Sequence, residues 1–157
     1  YHFFTFCKGG AEQADQFLRV LSQVRGPMLP PAVDLEFTGN CAARPSPEAL
    51  ARQLRDFTTR VERTLGARPV FYVTQSFWQR YHAAVPRGEL WVRSVYLRPE
   101  RAFPGKWKFW QFASRGRVPG IRGPIDLNVL HGSEDEWRRY LRGRLKLQPD
   151  DPFERSI

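Results

Sequence analysis

No apolar run in this chain approaches the roughly 20 residues that a bilayer-crossing helix needs, so nothing in it reads as a transmembrane span. Histidine is scarce. His2, His82 and His131 are far apart, and no HExxH or two-His-one-carboxylate spacing is present, which argues against a metal site. The two cysteines, Cys7 and Cys41, form no CxxC or Cys/His pattern of the kind that binds zinc. There is no GxSxG elbow for a serine nucleophile, and Gly9-Gly10 stands alone rather than in a phosphate-cradling loop. No internal repeat or linker divides the chain. No cofactor is expected, and the chemistry has to come from side chains.

The composition is that of one ordinary globular domain, 41% hydrophobic and 26% charged over 157 residues. A net charge of +9 and a pI near 10.2 imply attraction to polyanions: nucleic acid, anionic membrane surfaces or bacterial wall polymers. A solvated basic surface without a partner fits the charge equally well. The arginines are scattered and no RNP-like aromatic motif occurs, which counts against nucleic acid. Five tryptophans are enough to build a sugar-stacking platform, although core packing is the commoner role of any one of them. Cys7 and Cys41 each follow an apolar strand-like run. If those strands are neighbours, their loops share a rim and can form a disulfide, as suits an oxidising compartment. Two free thiols fit the sequence as well. The chain opens on Tyr1-His2-Phe3-Phe4, already inside an apolar run and without Met, which reads as a fragment, a processed product or a trimmed form.

Short apolar runs bounded by Pro, Gly or charge predict strands over 1–6, 32–37, 69–73, 90–96, 108–112 and 125–130. Between the first three lie helical patterns. Ala14, Phe17, Leu18 and Leu21 mark a helix over 11–24, ended by Gly26-Pro27. Ser46-Pro47-Glu48 opens a second, with an apolar stripe through Leu50, Leu54, Phe57, Val61 and Leu65 and a stop at Gly66. This β-α-β-α-β order is the unit of parallel sheets and barrels. After Tyr96 the helices vanish: 98–106 and 113–124 read as Pro-, Gly- and Arg-rich loops. A basic helix over 133–147, docking through Trp137, Tyr140, Leu141 and Leu145, closes a domain of residues 1–147, and 148–157 reads as a C-terminal tail.

The sharpest feature is Val33-Asp34-Leu35-Glu36-Phe37. Side chains at i and i+2 of a strand share a face, so Asp34 and Glu36 project together. Two carboxyls at the end of an apolar strand repel each other and lose water, which raises at least one pKa. The result is a protonated acid beside a carboxylate near neutral pH, and at the C-terminal end of a barrel strand such a pair reads as catalytic. Carboxylates paired with arginine at a solvated strand end are the structural alternative. In Ile125-Asp126-Leu127-Asn128, Asp126 and Asn128 share one face, although an Asp after Gly123-Pro124 also caps turns. Trp110 and Gln111, and Tyr72 on the third strand, are candidates for stacking on a sugar or hydrogen bonding to it, although core packing is the favoured reading of these positions without further context.

Six fragments in this order resemble glycoside hydrolase family 25, the Chalaropsis-type lysozymes. They are Tyr1-His2-Phe3-Phe4, Pro31-Ala32-Val33-Asp34-Leu35-Glu36, Pro69-Val70-Phe71-Tyr72-Val73, Leu90-Trp91-Val92, Phe109-Trp110-Gln111-Phe112, and Val118-Pro119-Gly120-Ile121 followed by Ile125-Asp126-Leu127-Asn128. The resemblance covers about residues 1–132. It implies an α/β fold, a TIM-like irregular (β/α)5β3 barrel, here without its first two β/α units and the further active-site Asp carried by the first strand. It also implies hydrolysis of the β-1,4 bond between N-acetylmuramic acid and N-acetylglucosamine in peptidoglycan, by a secreted, cell-wall or periplasmic monomer with neither nucleic-acid nor membrane partners. By position Glu36 becomes the general acid, Asp34 its helper and Asp126 the acidic residue of the last strand, with Tyr1, Tyr72, Trp110 and Gln111 lining the groove. Arg93 and Ser94 depart from the small residue usual after Trp91-Val92, which marks a subgroup.

The stereochemical outcome stays open, because i and i+2 Cα atoms on a strand stand roughly 6.5–7 Å apart, between the retaining and inverting separations. Assistance from the substrate acetamide is a third route. The alternative function is an inactive remnant that binds cell wall without cleaving it.

Overall fold

The computed structural model describes residues 1–103, 105–143 and 145–146. Its first half runs β1 (His2–Phe3), α1 (Gly10–Leu21), β2 (Pro27–Met28), β3 (Ala32–Leu35), α2 (Pro47–Leu65) and β4 (Val70–Thr74). The second half runs α3 (Gln75–Tyr81), β5 (Leu90–Arg93), α4 (Pro99–Ala102), β6 (Phe109–Gly116), β7 (Ile125–Leu130), α5 (Glu134–Arg142) and β8 (Leu145–Lys146). Six strands form one sheet in the order β1-β3-β4-β5-β6-β7, parallel throughout except for the antiparallel β6–β7 pair.

Local chemistry explains the helices. Ser46 caps α2 by accepting the Ala49 N–H at 3.2 Å, Pro47 supplies the first turn, and Gly66 ends it in a left-handed conformation at φ 68°. Leu50, Leu54, Phe57 and Val61 of α2 are fully buried against one face of the sheet. That face presents Val33 and Leu35, Phe71 and Val73, and Val92. The alternation that buries these residues aims Asp34, Tyr72 and Arg93 at the other face. Helix α1 lies so close to α2 that a Cβ on Gly10 would strike the Gln53 carbonyl, which is why the helix opens on glycine.

Several boundaries differ from those predicted. The first strand ends its ladder at Phe3. Phe4 still donates its N–H to the Asp34 carbonyl, but the Phe6 N–H goes to the Asn40 side chain at 3.0 Å, so the chain has turned away. The fourth predicted strand stops at Arg93, because Ser94 Oγ donates to the Leu97 carbonyl at 2.6 Å and closes a turn. Helix α3 is an addition, built on the aromatic spacing of Phe77, Trp78 and Tyr81, and the segment after Tyr96 holds the single helical turn α4. The last helix ends at Arg142 before Gly143, and Leu145–Lys146 pairs antiparallel with Pro27–Met28 instead of continuing it. Its capping box is complete at Ser133 and Glu136, and Tyr140 packs edge-on against Phe109 of β6. The predicted tail, 148–157, lies outside the described residues.

Cys7 and Cys41 form a disulfide, resolving the alternatives left by the sequence. It ties the loop after β1 to the loop after β3 across a sequence separation of 34. Closing a loop of that length restricts the unfolded chain enough to stabilise the fold by about 2–4 kcal/mol. The Cys7→Ser, Cys41→Ser double variant is expected to lose that amount in urea denaturation. An unchanged midpoint and slope would show that the bond contributes nothing.

Candidate active site

The parallel register sets Asp34 beside Tyr72, Tyr72 beside Trp91, and Trp91 beside Phe109. Paired residues in a sheet point to the same face, so these side chains line one wall. Nearer the C-terminal ends of the strands the same face carries Thr74, Arg93 and Gln111. The antiparallel strand β7 sets Asn128 opposite Gln111, and Asp126, two residues earlier, lies nearer the rim. Glu36, two residues past Asp34, joins them: its carboxyl feels both the Arg93 and the Asp126 charges.

Asp34 is the most constrained member. It is 4% exposed, and among the described residues its Oδ1 has no hydrogen-bond partner. Burial, reinforced by the Glu36 charge, pushes its pKa up to about 7, and the Tyr1 hydroxyl opposes the shift. Glu36 is half-buried, and desolvation raises its pKa too, with Arg93 pulling down and Asp126 pushing up. Burial and the Glu36 charge keep the Tyr72 phenol protonated, and its hydroxyl donates to Gln111 Oε1 at 2.7 Å. Gln111 is itself 3% exposed, so its amide is fixed against Tyr72 on this face. Tyr1 stands largely exposed at the edge, its pKa raised by partial desolvation and then by Asp34 and Glu36.

Asp34, Glu36, Asp126, Tyr1, Tyr72 and Gln111 therefore gather on one face of the sheet, near the C-terminal ends of its parallel strands. Trp110 does not. It pairs with Val92, packs against the core, and donates its indole N–H to the Ser94 carbonyl at 2.8 Å. Adjacent residues on a strand point to opposite faces, so Trp110 does not share the face of Gln111. Two residues not singled out as site residues from the sequence take part. Trp91 stands edge-on to Tyr72 with ring centroids 5.4 Å apart and donates to Asn128 Oδ1 at 2.8 Å, while Arg93 closes β5 beside Gln111. Strand alternation puts both on one face, but only the β4–β5 register shows that it is the face of Asp34.

A cavity of about 480 Å³ lies toward the other end of this wall, bordered by Ala32, Val70, Phe109, Leu130 and Tyr140. Its lining is largely apolar, and none of Asp34, Glu36 and Asp126 borders it.

Parallel strands with carboxylates collected at their C-terminal ends define an α/β protein whose candidate site lies where parallel-barrel enzymes carry theirs. The model of glycosyl hydrolases family 25 matches residues 1–121, and the chain belongs to that family. A family 25 glycosyl hydrolase from Bacillus anthracis superposes with a TM-score of 0.75 at 36% identity, over 89% of this chain and 66% of that one. A bacterial lysozyme from Streptomyces coelicolor gives 0.65 at 28% identity, over 85% and 65%. Among curated proteins, "Uncharacterized protein YegX" of Escherichia coli K12 is 29% identical over 147 residues, 91% of this chain and 51% of that protein. "Lysozyme M1" of Streptomyces globisporus is 29% identical over 115 residues, 67% of this chain and 38% of its own length. The chain thus spans about half, or less, of the curated relatives it matches.

Proposed function

We propose that the chain is a muramidase that hydrolyses the β-1,4 bond between N-acetylmuramic acid and N-acetylglucosamine in peptidoglycan. One observation carries this reading: Asp34 is buried, has an oxygen with no partner among the described residues, and stands beside Glu36 at the C-terminal ends of parallel strands. A carboxyl in that state is costly to keep unless it acts. Glu36, less buried and at the strand end, protonates the leaving glycosidic oxygen. Asp34, deeper and holding its proton near neutral pH, donates to the substrate's acetamido oxygen, or, once ionised, stabilises the oxocarbenium-like centre. Asp126 adds negative charge on the far wall, and Tyr1, Tyr72 and Gln111 position the sugar. The six-stranded sheet corresponds to the part of an irregular (β/α)5β3 barrel that follows its first two β/α units, in keeping with the share of its relatives that the chain spans.

The disulfide suits a secreted or wall-associated monomer, and the +9 charge suits an anionic wall. A suspension of purified bacterial wall tests the function. Clearing supports the muramidase, whereas tight pelleting with no clearing would replace it with a wall binder. Wall binding is expected to weaken as salt rises from about 0.05 to 0.5 M, because the Debye length falls about threefold. Salt-independent binding to sacculi would remove electrostatics from the account.

A further inference from the structure

Arg93 ends β5, paired with Thr74 on one side and Gln111 on the other, on the face that carries Asp34 and Tyr72. It is half-buried, yet among the described residues its guanidinium makes no hydrogen bond and no ion pair within 4.0 Å. Glu36 and Tyr72 are close enough to feel its charge without binding it. A guanidinium offers five N–H donors in a planar fork, and leaving them unpaired where it is half-buried is unfavourable. The fork matches a carboxylate or a phosphate. The cleft decides between them: Asp34, Glu36 and Asp126 face the same space, so a singly charged carboxylate meets less repulsion than a dianionic phosphate.

We propose that Arg93 is a specificity residue that binds a carboxylate borne by the muramic acid side of the substrate, through the unpaired guanidinium fork beside Gln111. The inference rests on the muramidase reading and deepens it. Two sources carry that chemistry: the lactyl carboxylate of a glycan stripped of peptide, and the carboxylates of an attached stem peptide, whose first amide bond neutralises the lactyl group. Arg93 distinguishes muramic acid from N-acetylglucosamine, which has no such acid.

NMR titrations of the chain test it with five probes. These are uncharged chitotetraose, the disaccharide of N-acetylglucosamine and N-acetylmuramic acid, its lactyl carboxamide, and a muropeptide with its peptide carboxylates free or amidated. In at least one charged and neutral pair the charged member is expected to bind about tenfold tighter, as one charge-assisted hydrogen-bonded pair supplies. Which pair shows the preference identifies the source. In Arg93→Met the charged-to-neutral ratio falls toward one, and Arg93→Lys, which keeps the charge without the fork, retains an intermediate ratio. Equal affinities within both pairs for the unaltered chain, or a preference that survives in Arg93→Met, overturn the inference. Binding of chitotetraose without any carboxylate preference overturns it while leaving the muramidase reading standing. Failure to bind any of the five glycans overturns both.

Discussion

Glu36→Gln is expected to leave the protein folded and to lower wall hydrolysis by about 10²–10⁴-fold, the contribution of one well-placed general acid. Gln has nearly the shape of Glu but carries no transferable proton. The side chain sits half-exposed at the end of β3, and among the described residues no ion pair within 4.0 Å depends on it. Removing it therefore leaves no buried charge stranded. Turbidity clearing and release of reducing ends measure the rate, and thermal denaturation checks the fold. The variant also relieves the repulsion that Glu36 exerts on Asp34, so Asp34 is expected to titrate below about 7 in it. Undiminished lysis with an intact fold would take the acid role away from Glu36.

Asp34→Asn is expected to make the protein more stable and much less active. Its carboxyl ionises near 3.8 in the unfolded chain and at about 7 in the cleft, so the folded state holds the proton more tightly. The native protein then gains stability from this group below about pH 4 and loses it as pH rises through about 7. Above that the ionised, buried carboxylate costs the fold on the order of 2–4 kcal/mol. Asn does not ionise, so the variant should gain that much over the native chain at pH 8 and almost nothing at pH 4, read as urea midpoints. Activity should fall by about 10²-fold or more, since the group that orients substrate or stabilises charge is gone. A pH-independent difference would mean that Asp34 is not the desolvated acid. Full activity in the variant would remove it from the mechanism.

How the site was legible differs from residue to residue. Asp34 and Glu36 stand two apart in one short segment, so strand geometry alone puts them together, and their apolar neighbours mark that segment as strand. Tyr72, Gln111 and Asp126 stood out locally only as candidates with other readings open, and the family resemblance joined them into one groove, because nothing local ties positions 72, 111 and 126. The resemblance also assigned Trp110 to the groove, and alternation puts it on the core side, where Val92 is its partner. Helix α3 went unpredicted because its aromatic spacing is short and follows a strand without a break. The antiparallel β2–β8 pair joins segments more than 100 residues apart, beyond the reach of any local pattern.

What the sequence determined by itself was periodic and local: the helix caps at Ser46 and Gly66, the buried stripe of α2, the strands that alternate core and cleft, and the acidic pair. Each follows from backbone geometry repeating over a few residues. The tertiary structure alone decided register, pairing and environment. It joined Cys7 to Cys41, set Tyr72 against Gln111, left the Arg93 fork without a partner among the described residues, and dried Asp34 until its proton stayed on near neutral pH. Desolvation and cross-strand contact depend on which distant segments meet, and a string of residues carries no distances.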